Sequence, residues 1–189
     1  MLTPLAFLAH RRGRLAAMLA VGASLAAPLS AHAATDAYLS VGNSDFTDNT
    51  PSAYYPGAIP ISSWTWGMQN GSKYSASGFL AGNPSFNQLN LTKMVDRTSP
   101  AFLTAADEMK PLTDVHLDLV TSTATGAKPF MGFCLQKPVV TSDTYSYKDN
   151  QIPVETVTMT YSGIVQGFND GDWIRSGWDI LHRLPITSC

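Results

Sequence analysis

The chain has 189 residues, with 12 Lys and Arg against 14 Asp and Glu, and a formal net charge of −2 at pH 7. That length bounds it to one domain with a sizeable core once its leader is set aside. The excess of acid, with no basic cluster to offset it, argues against a general nucleic-acid binder, because an acidic surface repels phosphate.

Residues 1–33 read as a secretory signal peptide. Arg11, Arg12 and Arg14 form a basic region, Leu15–Ala27 is an apolar run, and Ala31-His32-Ala33 supplies the small residues that signal peptidase needs. The run falls short of a membrane span and Pro28 breaks it, so no membrane association is expected after cleavage. Arg11-Arg12 hints at the twin-arginine route, but Arg14 stands where that motif takes an apolar residue, which favours ordinary Sec export. Cleavage after Ala33 removes three of the 12 basic residues and no acid, leaving nine against 14 and a net charge of −5. The remaining domain, 34–189, is expected in the periplasm or outside the cell.

That domain reads as mainly β with one short helix. A first strand is expected at Ala37–Val41, followed by a loop rich in Gly, Ser, Asn, Asp and Pro to Ala58, whose main apolar content is Phe46 and Tyr54-Tyr55. Ile59–Met68 reads as a second strand with a change of phase at Ser62-Ser63, the mark of a bulge or twist. Trp64 and Trp66, two apart, share a face of it, and core packing accounts for them better than a ligand does. Gln69–Ser85 is a long polar segment with turn signals at Asn70-Gly71, Gly78, Gly82 and Asn83-Pro84. Phe79-Leu80 at its centre needs a partner, either its own subunit or another copy.

Phe86–Met94 alternates as a strand and leads to a helix at Ser99–Glu108, with Ser99 expected as N-cap and Pro100 at the first helical position. Ala101, Phe102, Ala105, Ala106 and Met109 suit its buried face, and Pro111 ends it. Val115–Thr123 and Lys128–Lys137 read as a hairpin turned at Gly126, and Val139–Tyr147 and Val154–Gln166 as a second pair. Strands at this spacing with one helix point to a small β-barrel or sandwich.

No catalytic constellation can be assembled from 34–189. His116 and His182 are the two histidines, and with two cysteines they lack zinc-ligand spacing. Neither a G-x-S-x-G elbow nor a Walker A loop occurs. Asp170-Gly171-Asp172 reads as a turn before it reads as a calcium ligand set. No cofactor, metal or catalytic residue is assigned, and a structural or binding role is the default. Cys134 and Cys189 allow one disulfide in an oxidising compartment. Alternatively, Cys134 is a small buried residue in the apolar run Phe130–Leu135, with Cys189 a free thiol.

Several of these segments share a pattern. Trp64, Trp66 and Gly67 are followed by Leu89, Thr92, Lys93, Asp96, Ser99 and Pro100, in the order W-x-W-G … L-x-x-T-K-x-x-D-x-x-S-P. Glu155-Thr156-Val157-Thr158-Met159-Thr160-Tyr161, then Ile164, forms a late strand, and Gly177-Trp178-Asp179-Ile180 lies near the end. In these residues, and more loosely in Val139-Val140-Thr141-Ser142, the chain resembles the haemolysin-coregulated protein (Hcp) family, the tube protein of type VI secretion, from Tyr38 to Ile180. The resemblance implies a two-sheet β-barrel with one flanking helix, assembling with itself into hexameric rings that stack into a tube and carry or bind small effector proteins or other secretion components. It also implies that Gln69–Ser85 is the extended loop that contacts a neighbouring ring, with Gln69, Asn70, Tyr74, Phe79 and Leu80 as interface residues. One departure is plain: tube proteins of that family leave through the apparatus without a cleaved leader. A monomeric exported module that has lost assembly is therefore an alternative, and an exported toxin or enzyme a third.

Overall fold

The structure, a computed structural model, describes residues 35–48, 55–123 and 126–189. The expected signal peptide at 1–33 and Tyr54 lie outside the described residues. In chain order the strands are β1 (Thr35–Ser40), β2 (Ile59–Ile61), β3 (Ser63–Thr65), β4 (Met68–Asn70), β5 (Lys73–Ser75), β6 (Gly78–Leu80), β7 (Pro84–Phe86) and β8 (Leu89–Met94). The helix α1 (Ser99–Glu108) follows, then β9 (Val115–Thr123), β10 (Gly126–Gln136), β11 (Val139–Ser146), β12 (Val154–Thr160), β13 (Gly163–Asn169), β14 (Trp173–Asp179) and β15 (Leu184–Ile186).

Two sheets carry the architecture. The larger runs β15-β14-β13-β10-β9-β1-β2 and the smaller β11-β12-β8-β3, with every pairing antiparallel. One apolar core lies between them. Leu39, Ile59, Leu117, Phe133 and Ile164 contribute from the larger sheet, and Leu89, Leu91, Val140, Val157 and Met159 from the smaller. Period-2 alternation accounts for this: Val115, Leu117 and Leu119 all turn inward from β9 while His116 and Asp118 turn out. The expected mainly β, two-sheet fold with one helix is present. The sheets meet at corners where the chain changes sheet, and among the described residues no ladder closes them into a continuous cylinder.

Those corners account for the strand boundaries that the sequence misplaces. The single strand expected at Ile59–Met68 is three pieces. At Ser62 the chain leaves β2 in the larger sheet for β3 in the smaller, and the Ser62 N–H and hydroxyl both donate to Thr92 O at 2.8 Å. The phase change at Ser62-Ser63 is thus a change of sheet. Val154–Gln166 likewise divides into β12 and β13, which lie in different sheets. Here Ser162 N and Oγ donate to Gln136 O at 2.9 and 3.0 Å, tying this corner to the one between β10 and β11. Residues 173–186, to which no strand is assigned above, form β14 and β15.

The helix occupies the expected residues, with a different start. Thr98 is the N-cap residue and makes no side-chain capping bond, so Ser99 does not cap and Pro100 sits one place further in. Asp96 organises the turn instead, its Oδ1 accepting from Thr98 N at 2.8 Å and Thr98 Oγ1 at 2.6 Å. Phe102 and Ala105 are buried, and Phe102 meets Phe46 edge-on at 4.8 Å. Met109 is exposed, because it ends the helix in the left-handed conformation (φ 53°) and its side chain leaves the buried stripe.

Candidate assembly surface

The chain between β3 and β8 is not a structureless loop. It forms an arm of two ladders, β4 with β7 and then β5 with β6, each a separate two-stranded sheet. The polar, Gly-rich sequence of 69–85 hides these strands because their side chains mostly face water and leave no apolar alternation. Gly71 and Gly82 form the waist between the ladders. A Cβ on Gly82 would lie 2.1 Å from the carbonyl carbon of Gly71, so only glycine permits that approach. Asn70 turns the chain there: its Oδ1 accepts from Ser72 N at 2.9 Å and from Ser72 Oγ at 2.7 Å.

The arm's outer ladder carries apolar side chains in water. Tyr74 and Phe79 are a cross-strand pair with ring centroids 5.3 Å apart, yet they are 85% and 59% exposed, and Leu80 is 45% exposed. Gln69, in the inner ladder, is exposed beside Met68. At the base of the arm, Met68 and Phe86 face Ile164, Phe168 and Trp178 of β13 and β14 across a groove of about 590 Å³. The groove exists because the larger sheet has more strands than the smaller one, so the inward face of β13 and β14 extends past its cover. Phe168 and Ile174 on that face were not among the expected site residues. Their alternation, Ile164, Phe168 and then Ile174, Trp178, was the signal that could have placed them.

The structure brings the other motif residues together in two interior clusters. Trp64 and Trp66 lie against the same ring, Phe133, at 5.2 and 5.5 Å, and Gly67 O accepts from Asn87 N at 2.9 Å as the arm begins. The Trp66 indole N–H donates to the Tyr161 hydroxyl, which donates to Asn87 O at 2.7 Å. Trp178 closes the groove.

The second cluster is a buried polar corner. Lys93 is 1% exposed and Glu155 0%, and they are directly opposed in the β8–β12 register. Lys93 Nζ lies 2.9 Å from Glu155 Oε2, 2.9 Å from Asp96 Oδ1, 3.0 Å from Met94 O and 3.2 Å from Ser99 Oγ. The Ser99 hydroxyl donates to Glu155 Oε2 and accepts from Asp96 N at 3.1 Å. Thr92, beside it, approaches Thr156 at 3.4 Å between hydroxyls. Glu155 Oε1 and Asp143 Oδ1 are buried acceptors without a donor. Burial raises the Asp143 pKa, and the Glu155 carboxylate raises it further against the lowering effect of the Tyr145 hydroxyl. Every one of these contacts is architectural; none is aimed at an open pocket.

Cys134 on β10 and Cys189 are joined, with S–S 2.06 Å and Cα atoms 6.2 Å apart. Asp170 and Asp172 meet across a turn, Asp170 N donating to Asp172 O at 3.4 Å, and no group of three metal-ligating side chains occurs among the described residues.

Compared with known proteins, residues 38–168 match the family described as "Type VI secretion system effector, Hcp". Among solved structures, the chain is similar to Hcp1 from Salmonella typhimurium, at 20% identity and a TM-score of 0.68, covering 81% of this chain and 99% of that one. A structure described as a type six secretion system protein gives 18% identity and a TM-score of 0.74 over 81% of this chain and 100% of that one. The secreted protein Hcp3 from Pseudomonas aeruginosa gives 17% and 0.57, over 77% and 98%. No curated protein matches the chain.

Proposed function

Because the chain belongs to the Hcp family of type VI secretion, we propose that it is a structural protein of the tube type. It assembles with itself into hexameric rings that stack and hold small effector proteins, and it carries out no catalysis. The observation that supports this most directly is the arm. A paired β-hairpin that presents Tyr74, Phe79 and Leu80 to water buries little of their apolar surface on its own subunit. Apolar side chains held rigid in this way are what a partner surface uses as anchors. Its ladders satisfy their own backbone groups, so the arm can project without leaving unpaired N–H groups on its inner edges.

The second reading is an exported, monomeric Hcp-like module whose site of action is the periplasm or the cell exterior. The disulfide favours it, since such bonds persist in oxidising compartments, as does the leader expected at 1–33. Residues 34–189 form the single working domain on either reading.

Native mass measurement and negative-stain microscopy of the exported protein separate the two. Rings of six support assembly, and uniform monomers at all concentrations support the module. Phe79→Asp is expected to leave the monomer folded while lowering the assembled mass, because a charge is placed where an apolar anchor was. An assembled mass identical to that of the unsubstituted chain would remove the arm from the interface.

A further inference from the structure

The disulfide joins the middle of a central strand to the C-terminal residue. Cys134 is in the middle of β10, its side chain on the face of the larger sheet away from the core, beside His116 and Val165 in register. Cys189 is exposed, Cys134 is half-buried, and His116 is exposed, with its Nε2 3.8 Å from Cys134 Sγ. The segment that the bond retains is lightly held otherwise. β15 has three register pairs with β14, and beyond it Ser188 O accepts from Gln136 Nε2 at 3.5 Å.

Beneath that segment lies a cleft of about 330 Å³, lined by Asp118, Gly132, Gly167, Trp173 and Arg175 together with Ser188 and Cys189. Gly132 and Gly167 are adjacent across β10 and β13, and Trp173 lies over both. A Cβ on Gly167 would be 2.8 Å from the Trp173 ring, and one on Gly132 would be 2.8 Å from Asp118 Oδ1. Arg175 stacks over the same indole at 5.4 Å. Burial raises the Asp118 pKa while the neighbouring His116 lowers it, as expected of a carboxylate partly withdrawn from water.

We propose that Cys134–Cys189 is a thiol-exchange site, opened by an external thiolate that attacks Cys189 and expels Cys134 beside His116. The sulfur of the exposed residue, Cys189, is the one attacked, and that of half-buried Cys134, with an imidazole nitrogen beside it, is the one that leaves. In the step, the incoming R–S⁻ forms a bond to Cys189 Sγ as the Sγ–Sγ bond breaks. The electron pair of that bond goes to Cys134 Sγ as a thiolate, which accepts a hydrogen bond or a proton from His116 Nε2. The incoming sulfur is oxidised, Cys134 is reduced, and the product is a mixed disulfide on Cys189. A small thiol stops there. A dithiol protein continues, its second thiolate attacking its own mixed-disulfide sulfur to release Cys189 as a thiol and leave with its own disulfide closed. Either product frees 187–189 from the sheet and uncovers the Asp118–Trp173–Arg175 cleft.

The test uses the purified, oxidised protein with millimolar glutathione in one arm and a thioredoxin-type dithiol protein in the other. After alkylation of free thiols, peptide mass mapping is expected to place glutathione on Cys189 and the alkyl group on Cys134. The dithiol arm is expected to give both cysteines alkylated. Hydrogen exchange should rise in 184–189 and stay slow in β9 and β10. His116→Ala should slow the glutathione reaction by at least about tenfold, the loss of one hydrogen bond to a charged group, and His116→Gln, which keeps a donor, should recover part of that. Resistance to both reagents, glutathione mapped to Cys134, unchanged exchange in 184–189, or a rate indifferent to His116 would each overturn the proposal.

Discussion

Replacing Lys93 by methionine tests whether the buried corner holds the smaller sheet to the helix through charge. Methionine keeps the aliphatic stem, which passes near the Phe102 ring at 5.8 Å from the ammonium, and removes only the charge and its donors. Glu155, fully buried, then retains the Ser99 hydroxyl alone, while its second oxygen already lacks a donor. Leaving one member of a buried ion pair uncompensated costs about 3–5 kcal/mol, a large share of the roughly 5–15 kcal/mol that holds a domain folded. Glu155→Gln is the control. It leaves Lys93 with Asp96, which is 21% exposed, and with Met94 O, so it should cost about 1.5–3 kcal/mol, the worth of a hydrogen bond to a charged group. The double variant removes the stranded charge and should be more stable than Lys93→Met alone. Urea unfolding at several protein concentrations, followed by the fluorescence of Trp64 and Trp66 against Phe133, reads all three and separates folding from assembly. A Lys93→Met cost below about 1 kcal/mol, or a double variant no better than the single, would refute the reasoning.

Asp143→Asn is expected to stabilise the protein at neutral pH by about 1 kcal/mol, because the Asp143 side chain is in hydrogen-bond reach of the Glu155 carboxylate and an amide there can donate where an ionised carboxylate cannot. The sign follows from the raised Asp143 pKa: the stability that this carboxyl contributes is present below its ordinary value and lost as pH rises through its folded one. The gain in the variant should therefore shrink toward acid, and thermal melts that show an equal gain at acid pH would contradict it. Gly177→Ala should cost about 1–3 kcal/mol, since a Cβ there would lie 2.3 Å from Ile164 O and 2.7 Å from Val165 Cα, both backbone atoms of β13. An unchanged melting temperature would show that β14 can shift to accommodate it.

Much of the fold was legible in the residues, and the failures share one cause. Val115–Thr123, the β9–β10 hairpin and the helix at Ser99–Glu108 were readable because alternation, helical apolar spacing and proline placement are local signals. Ile59–Met68 and Val154–Gln166 were misread as single strands because a change of sheet keeps the backbone extended and shows only as a slip in phase, at Ser62 and at Tyr161-Ser162. The arm's ladders were invisible for the opposite reason: their side chains meet solvent, so no apolar period marks them. In the candidate surface, Tyr74, Phe79 and Leu80 stood out as apolar residues in a polar stretch. The groove did not, since it depends on one sheet extending past the other.

The spacing T-K-x-x-D-x-x-S-P becomes intelligible from the corner it builds. Alternation along β8 turns Leu91 and Lys93 to the buried face, and the register sets Lys93 opposite Glu155. Three residues later the strand has ended, and Asp96 reaches back to Lys93 while organising the turn through Thr98. Another three residues bring Ser99 to the first turn of the helix, where its hydroxyl spans Glu155 and the Asp96 N–H and is not free to cap. Each interval is thus fixed by a geometric demand: strand pleat, then turn, then helix start. A buried polar network of this kind tolerates little substitution, because a half-satisfied one is worse than an apolar core.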